Sequence, residues 1–205
     1  MLGLHAWLEV VGPLPGERWA NERFLWYQLP REPVGQVVLL FDVAGRPVVA
    51  LGSVVVATWL VARGVGRRAA VLVVVAFAGV LLNDVLKAQL GPTPLWSTKP
   101  EIGTDANFPS GHAFYAASFG GALLRLAWLR GRPDLVALAA ALIALSGPAR
   151  VVQGVHLPSD VLAGFALGLA WLLVAVALVG HPVRAGTRRR TPGPAARDAE
   201  RPAVA

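Results

Sequence analysis

The feature that most constrains this chain is a series of five apolar segments, each close to the roughly 20 residues that a helix needs to cross a bilayer. They run approximately over residues 46–63, 68–88, 111–129, 134–153 and 158–179. Over the whole chain 55% of the residues are hydrophobic and 15% are charged, and the mean hydropathy is +0.56. These values lie outside the range of an ordinary soluble domain. We therefore expect an all-α, polytopic membrane helix bundle with about five transmembrane helices.

The positive charge of the chain predicts its orientation. The formal net charge is +7, but the arginines form short clusters between apolar segments and in the tail, with no basic face or aromatic ladder of the kind that binds nucleic acid. If the five segments alternate, the clusters at 63–68, at 130–132 and after 181 all fall on one side, which the positive-inside rule makes cytoplasmic. An Arg-rich, Ala-, Val- and Gly-rich composition suggests a bacterial source. We expect a multi-pass protein of a bacterial plasma membrane.

Three regions are expected along the chain. Residues 1–45 combine tryptophans with nearly balanced charges, which predicts an amphipathic arm in the plane of the interface. Four prolines leave a loosely ordered arm as the alternative. Residues 46–180 form the transmembrane bundle, and residues 181–205, rich in Pro and Arg, form a disordered basic cytoplasmic tail.

A polar, turn-forming stretch lies just before the third apolar segment. Pro109 cannot continue a preceding helix, Ser110 is a good N-cap residue, and Gly111 lets the backbone approach a ligand closely. His112 then lies in the first helical turn, where free N–H groups and the helix dipole favour an anion. The alternative is that Ser110 and Gly111 only cap a membrane helix.

A second polar stretch lies between the fourth and fifth segments. Asp160 follows His156 by four residues, so its carboxylate would accept a hydrogen bond from one imidazole nitrogen and leave the other as a nucleophile or base. Arg150 offers a planar fork that matches phosphate oxygens. Counting crossings places both stretches on the outer side, and Gly164 and Gly168 would allow their helices to approach closely. The alternative roles are an interface anchor for Arg150 and a helix N-terminal charge for Asp160.

Together these residues resemble the type 2 phosphatidic acid phosphatase family, the membrane relatives of the vanadium haloperoxidases. The family pattern is Lys, six residues and Arg-Pro; then Pro-Ser-Gly-His; then Ser-Arg, five residues, His, three residues and Asp. Residues 109–112 match the second part completely. Arg150, His156 and Asp160 match the third part at the correct spacing, with Ala149 in place of the serine. The resemblance covers roughly residues 34–179.

The resemblance implies a mechanism and a set of site residues. His156 would attack phosphorus to give a phosphohistidine, Asp160 would orient His156, and His112 would protonate the leaving oxygen and later activate water. The oxygens of the phosphoryl group would be bound by Lys87, Arg150 and the backbone of Ser110 and Gly111. The scheme requires no metal and no other cofactor.

This chain departs from the first part of the family pattern. Lys87 is present, but Pro94 holds the position of the arginine and Leu95 that of the proline. Lys99 would reach into the site as a substitute; the alternative is a solvated lysine near Glu101.

Four further polar and aromatic residues lie near Lys87 or in the loop that follows it. Asn83 and Asp84 are unusual inside an apolar helix and are therefore functional candidates. We expect Asp84 to form an ion pair with Lys87. Trp96 and Phe108 are expected to anchor the loop at the headgroup level.

The sequence thus predicts a metal-independent phosphatase that hydrolyses a lipid phosphate or pyrophosphate at the outer leaflet, with the bilayer and the lipid as its partners and no nucleic acid. Polyprenyl phosphates and pyrophosphates, phosphatidic acid and phosphatidylglycerol phosphate are all compatible substrates. A weakly active or non-catalytic lipid-phosphate binding protein is the alternative. A small transporter ranks last, because only Asp84 is charged deep in a segment. Phosphotransfer to an acceptor other than water and the oligomeric state stay open.

Overall fold

The computed structural model describes residues 2–23, 46–91, 93 and 108–180, and all regular secondary structure in these ranges is helical. The helices are α1 Leu2–Val10, α2 Glu17–Arg23, α3 Arg46–Ala62, α4 Arg67–Ala78, α5 Val80–Leu90, α6 Gly111–Tyr115, α7 Gly121–Leu129, α8 Pro133–Val152 and α9 Pro158–Val179. A π-helical turn, Ala116–Gly120, joins α6 to α7. The all-α expectation is confirmed for this part of the chain, whereas the tail after residue 180 lies outside it.

Within the described ranges, three helical stretches are long and apolar enough to cross a membrane. They are Arg67–Leu90, which combines α4 and α5, and the single helices α8 and α9. Within α3, Pro47–Ala62 is apolar but shorter. A helical membrane protein is therefore supported, and the count of five transmembrane helices stays a prediction.

Two side chains donate hydrogen bonds to backbone carbonyls beside local irregularities of the helices. The indole N–H of Trp171 donates to the Val75 carbonyl at 2.8 Å, beside the turn at Gly79 that separates α4 from α5. A Cβ at Gly79 would overlap the same indole, so only glycine fits. The Ser118 hydroxyl donates to the Phe114 carbonyl at 2.9 Å from within the π-helical turn.

Helix α9 lies at the centre of the bundle. It packs against α4, α6, the π-helical turn and α8. The largest apolar cluster fills the space between α4, α7 and α9, with Leu72, Val73 and Ala175 among its fully buried members. The C-terminal end of α5, the start of α6, the end of α8 and the start of α9 meet at one end of this bundle, which we call the site end.

Candidate active site

The two polar stretches of the sequence meet at the site end. The Ser110 N–H donates to the Asp160 carbonyl at 2.9 Å, which joins the start of α6 to the first turn of α9. A Cβ at Gly164 would overlap the Ser110 carbonyl oxygen, and one at Gly168 would lie 2.5 Å from the Phe114 carbonyl oxygen. The expectation that these two glycines permit close helix approach is confirmed.

His156 and Asp160 form a buried pair. His156 lies in the short loop between α8 and α9, and its Nδ1 is 3.3 Å from Asp160 Oδ2. The same carboxylate oxygen accepts a hydrogen bond from the Leu157 N–H at 2.9 Å, which fixes the carboxylate at the N-terminus of α9. A carboxylate at Nδ1 keeps a proton on that nitrogen, so Nε2 carries the lone pair.

Arg150 lies beside this pair in the last turn of α8 and is only 3% exposed. Its Nη1 donates to Gln153 Oε1 at 2.6 Å, and its carbonyl oxygen is 3.3 Å from the backbone nitrogens of Val155 and His156. Gln153 is fully buried and holds the guanidinium. The sequence analysis missed Gln153, although a glutamine three residues after Arg150 in an apolar stretch was a usable signal.

Ser110 stands at the N-cap position of α6, as expected, but its side chain makes no capping hydrogen bond. The residue is fully buried, and its hydroxyl has no hydrogen-bond partner in the part of the chain that the structure describes. Its N–H is already used by Asp160, so any contact from Ser110 to a bound phosphate comes from the hydroxyl. The predicted N-cap position of Ser110 is therefore confirmed, whereas the backbone N–H that was expected to bind phosphate is bonded to the Asp160 carbonyl. Gly111 is buried, and His112 is the second residue of α6, as predicted.

Helix α5 brings two further polar residues to the start of α6. Asn83 is fully buried, and neither the nitrogen nor the oxygen of its amide has a hydrogen-bond partner among the described residues. Its Nδ2 lies 3.5 Å from the position that a Cβ of Gly111 would occupy. Lys87 follows one turn later, half-buried in the last turn of α5. The ion pair predicted between Asp84 and Lys87 stays a prediction.

Several predicted positions lie outside the described residues. Lys99, the proposed substitute cation, falls in residues 94–107, as do Pro94, Leu95 and Trp96. Phe108 is described and is fully buried, packed in a cluster with Leu8 and Ala163. The expectation that Phe108 anchors a loop at the headgroup level is therefore wrong, because a ring at the headgroup level would be exposed.

The N-terminal helices contribute residues that the sequence analysis did not single out. Glu17 is fully buried, and its Oε1 accepts a hydrogen bond from the Ser159 N–H at 2.7 Å. The imidazole of His5 packs edge-on against Phe108, with ring centroids 5.1 Å apart. No local signal marks either residue, since Glu17 is one of several balanced charges in the N-terminal arm.

An apolar groove begins at His112 and runs along α7. A cavity of about 220 Å³ is lined by His112, Tyr115 and Ser146 together with apolar side chains of α3 and α8. A second cavity of about 440 Å³ extends to Arg130 and Arg132. The two share Leu123, Ala139 and Leu142. We call this continuous feature the α3/α8 groove.

The groups gathered at the site end are of the kinds that take part in phosphoryl transfer. It combines a nucleophilic imidazole nitrogen oriented by a carboxylate, a second histidine on the adjoining helix, and a buried guanidinium held in place. Among the described residues there is no group of three or more His, Asp or Glu side chains placed to bind a metal ion.

Comparison with known proteins gives one match. A family model described as the PAP2 superfamily matches residues 68–183, which is more than half of the chain. The matched range contains both histidines of the site, Asp160 and Arg150, and excludes α1, α2 and α3. No curated protein and no solved structure matches the chain. On the family match, this chain is a member of the PAP2 superfamily, the type 2 phosphatidic acid phosphatases.

Proposed function

We propose that this protein is a membrane lipid phosphatase that hydrolyses a lipid phosphate or pyrophosphate through a phosphohistidine on His156. Members of the superfamily are phosphatases. The observation that carries the proposal for this chain is the buried pair of His156 and Asp160, with 3.3 Å between Nδ1 and Oδ2. The same aspartate is joined through its carbonyl to Ser110, so the pair and the helix of His112 form one unit.

The reaction proceeds in two steps at the phosphorus atom. Nε2 of His156 forms a P–N bond as the P–O bond to the lipid breaks, and His112 donates a proton to the departing oxygen. Water then attacks the phosphohistidine, His112 takes the proton from that water, and the P–N bond breaks. Inorganic phosphate leaves, and both histidines return to their starting states. Asp160 keeps His156 in the reactive tautomer in each step.

Charge on the transferred group is neutralised by cations and polar groups at the site end. Arg150, held by Gln153, supplies a fixed guanidinium, and the Ser110 hydroxyl and Gly111 lie at the start of α6. Lys87 supplies the second cation from α5. Lys99 supplies a third in place of the arginine that Pro94 replaces. The residues complete this scheme without a metal ion.

A lipid substrate is supported by the α3/α8 groove. The groove starts at His112, which protonates the leaving oxygen, so a hydrocarbon chain attached to that oxygen has an apolar path along α7. Both phosphatidic acid and polyprenyl phosphates fit this description. The bundle crosses the bacterial plasma membrane five times, with α3 and the continuous helix 111–129 as the two additional spans, and the site end faces outward.

A phosphate-release assay on the purified protein tests the proposal, with short-chain phosphatidic acid and a prenyl pyrophosphate as substrates. Wild type releases phosphate from at least one substrate, His156→Ala releases none, and Asp160→Asn is strongly impaired. Asp134→Asn is the matched control, because Asp134 lies at the opposite end of α8 with its side chain 59% exposed. Equal phosphate release by wild type and His156→Ala would refute the phosphohistidine mechanism.

A non-catalytic lipid-phosphate binding protein is the second candidate. It is favoured by Ala149, a buried residue that lacks the hydroxyl of the family's serine, and by the missing arginine at Pro94. This candidate predicts that the wild type binds the lipid phosphate in a flotation or fluorescence assay but releases no phosphate from it.

A further inference from the structure

We propose that Glu17, in the N-terminal helix α2, is a positioning residue for the active site, and that the segment of α1 and α2 is part of the catalytic unit. This inference rests on the proposed function. It extends that function to residues that lie outside the family match, which begins at residue 68.

The first observation is the environment of the Glu17 carboxylate. Glu17 is fully buried, and each carboxylate oxygen accepts one backbone hydrogen bond. Oε2 is bonded by the Leu14 N–H at 2.7 Å within the same segment, and Oε1 by the Ser159 N–H at 2.7 Å, across 142 residues of sequence. Burial of a carboxylate is costly unless its oxygens are hydrogen-bonded, so this arrangement specifies a single geometry for the segment.

The second observation is the place of Ser159 in α9. Ser159 is the second residue of α9, where a backbone N–H has no partner within the helix. A carboxylate is favourable at this position, because it satisfies the N–H and complements the helix dipole. Glu17 therefore anchors the peptide group between Pro158 and Ser159, one residue before Asp160.

The third observation is what the next residue does. Asp160 contacts His156 through its carboxylate and Ser110 through its carbonyl oxygen. A shift of the peptide at Ser159 would change both contacts, since they depend on the position and orientation of Asp160. Glu17 thus acts through Asp160 on the nucleophile and on the start of α6, without touching the substrate.

Apolar contacts hold the rest of the segment in the same place. Leu8 of α1 packs with Phe108 and with Ala163, which lies one turn after Ser159 in α9. His5 contacts Phe108, two residues before Ser110. The N-terminal segment therefore contacts the elements on both sides of the Ser110 to Asp160 bond.

Kinetic analysis of Glu17→Ala, with Glu22→Ala as the matched control, tests this inference. Glu22 lies in the same helix and is exposed. We expect Glu17→Ala to lower kcat by about 10-fold to 100-fold with little change in KM, because misplacement of a reacting group by about 1 Å costs up to ~10²-fold. Glu17→Gln, which keeps one acceptor oxygen for Ser159, should be intermediate. Activity is expressed per folded molecule, measured by size exclusion and near-ultraviolet circular dichroism.

Two further measurements separate positioning from a general loss of structure. In a double-mutant cycle, Asp160→Asn should cost less in the Glu17→Ala background than in wild type, since both substitutions disturb one unit. Hydrogen exchange of the peptide that covers residues 157–162 should be faster in Glu17→Ala than in Glu22→Ala. Additive effects in the cycle, or a wild-type kcat in folded Glu17→Ala, would overturn the proposal.

The hydrogen-exchange measurement also keeps this inference distinct from the proposed function. If wild type releases no phosphate from any lipid phosphate, the phosphatase proposal fails. The positioning of Asp160 by Glu17 is then judged by exchange alone, and equal exchange in Glu17→Ala and Glu22→Ala would overturn it.

Discussion

Substitution of Gly164 by alanine tests the contact that unites the two halves of the site. The added Cβ would lie 2.9 Å from the Ala113 Cβ and closer still to the Ser110 carbonyl oxygen. Carbon atoms pack at about 3.5–4.0 Å, so α6 and α9 would have to separate by at least ~0.6 Å. The Ser110 nitrogen is now 2.9 Å from the Asp160 carbonyl oxygen. This distance would increase beyond about 3.2 Å, the usual upper limit for an N–H···O hydrogen bond.

Two effects follow from this separation. The overpacking should cost about 1–3 kcal/mol of stability, and the displaced Ser110 and His112 should lower kcat/KM by about 10-fold to 100-fold. Stability is measured as Tm in detergent micelles, and kcat/KM by phosphate release from a short-chain phosphatidic acid.

Two glycine-to-alanine controls make the test specific. Gly52→Ala in α3 adds the same methyl group where no atom lies within 4 Å, so its activity should equal that of wild type. Gly168→Ala places a Cβ 2.8 Å from the Ala117 Cβ, one turn further from Ser110, so it should lower Tm with a smaller loss of activity. Wild-type Tm and kcat/KM in Gly164→Ala would refute the reasoning.

Three further substitutions probe the rest of the site. Asp160→Asn removes the carboxylate that keeps the proton on His156 Nδ1, so formation of the phosphohistidine, followed as base-stable, acid-labile label in rapid-quench experiments, should slow by ~10²-fold or more. Gln153→Leu removes the 2.6 Å hydrogen bond to Arg150; since hydrogen bonds to charged groups contribute about 1.5–3 kcal/mol, kcat/KM should fall by about 10-fold or more, and an unchanged value would contradict the role of Gln153. Leu142→Trp narrows the α3/α8 groove, so KM should rise for long-chain substrates and stay constant for dioctanoyl analogues; equal effects on both would exclude the groove as the chain site.

The helices of the bundle were predictable because their signals are local. An apolar run of about 20 residues in a membrane chain forms a helix whatever it packs against, since every backbone polar group must be satisfied within the segment. The predicted segment at 158–179 coincides with α9, and the segment at 111–129 with α6, the π-helical turn and α7. The break at Gly79 was not predictable, because it accompanies a hydrogen bond from Trp171, a residue on another helix.

The meeting of the two polar stretches was also predictable, but several of its details were not. The crossing count brought residues 109–112 and 150–160 to one side, and the spacing of His156 and Asp160 within one helical turn placed them in contact. The use of the Ser110 backbone was not predictable, because only the packing of α6 against α9 places its N–H on the Asp160 carbonyl. The burial of Phe108 was not predictable either, because none of its neighbours along the chain indicates that α1 packs against it.

Glu17 illustrates the general limit most clearly. A glutamate in a segment of balanced charges is expected to be solvated. A hydrogen-bond partner 142 residues away produces no periodic pattern in the sequence that would indicate otherwise. The structure instead makes Asp160 the point where three parts of the chain converge. Its carboxylate contacts His156, its carbonyl oxygen contacts Ser110, and the Pro158–Ser159 peptide group, one residue before it, is bonded by Glu17. A site built this way is preorganised, because none of these groups has to move when charge develops on a phosphoryl group. On the proposed function, discrimination between lipids depends on the parts outside this network, above all the α3/α8 groove. Changes in the hydrocarbon chain should then act mainly on KM, and changes around Asp160 mainly on kcat.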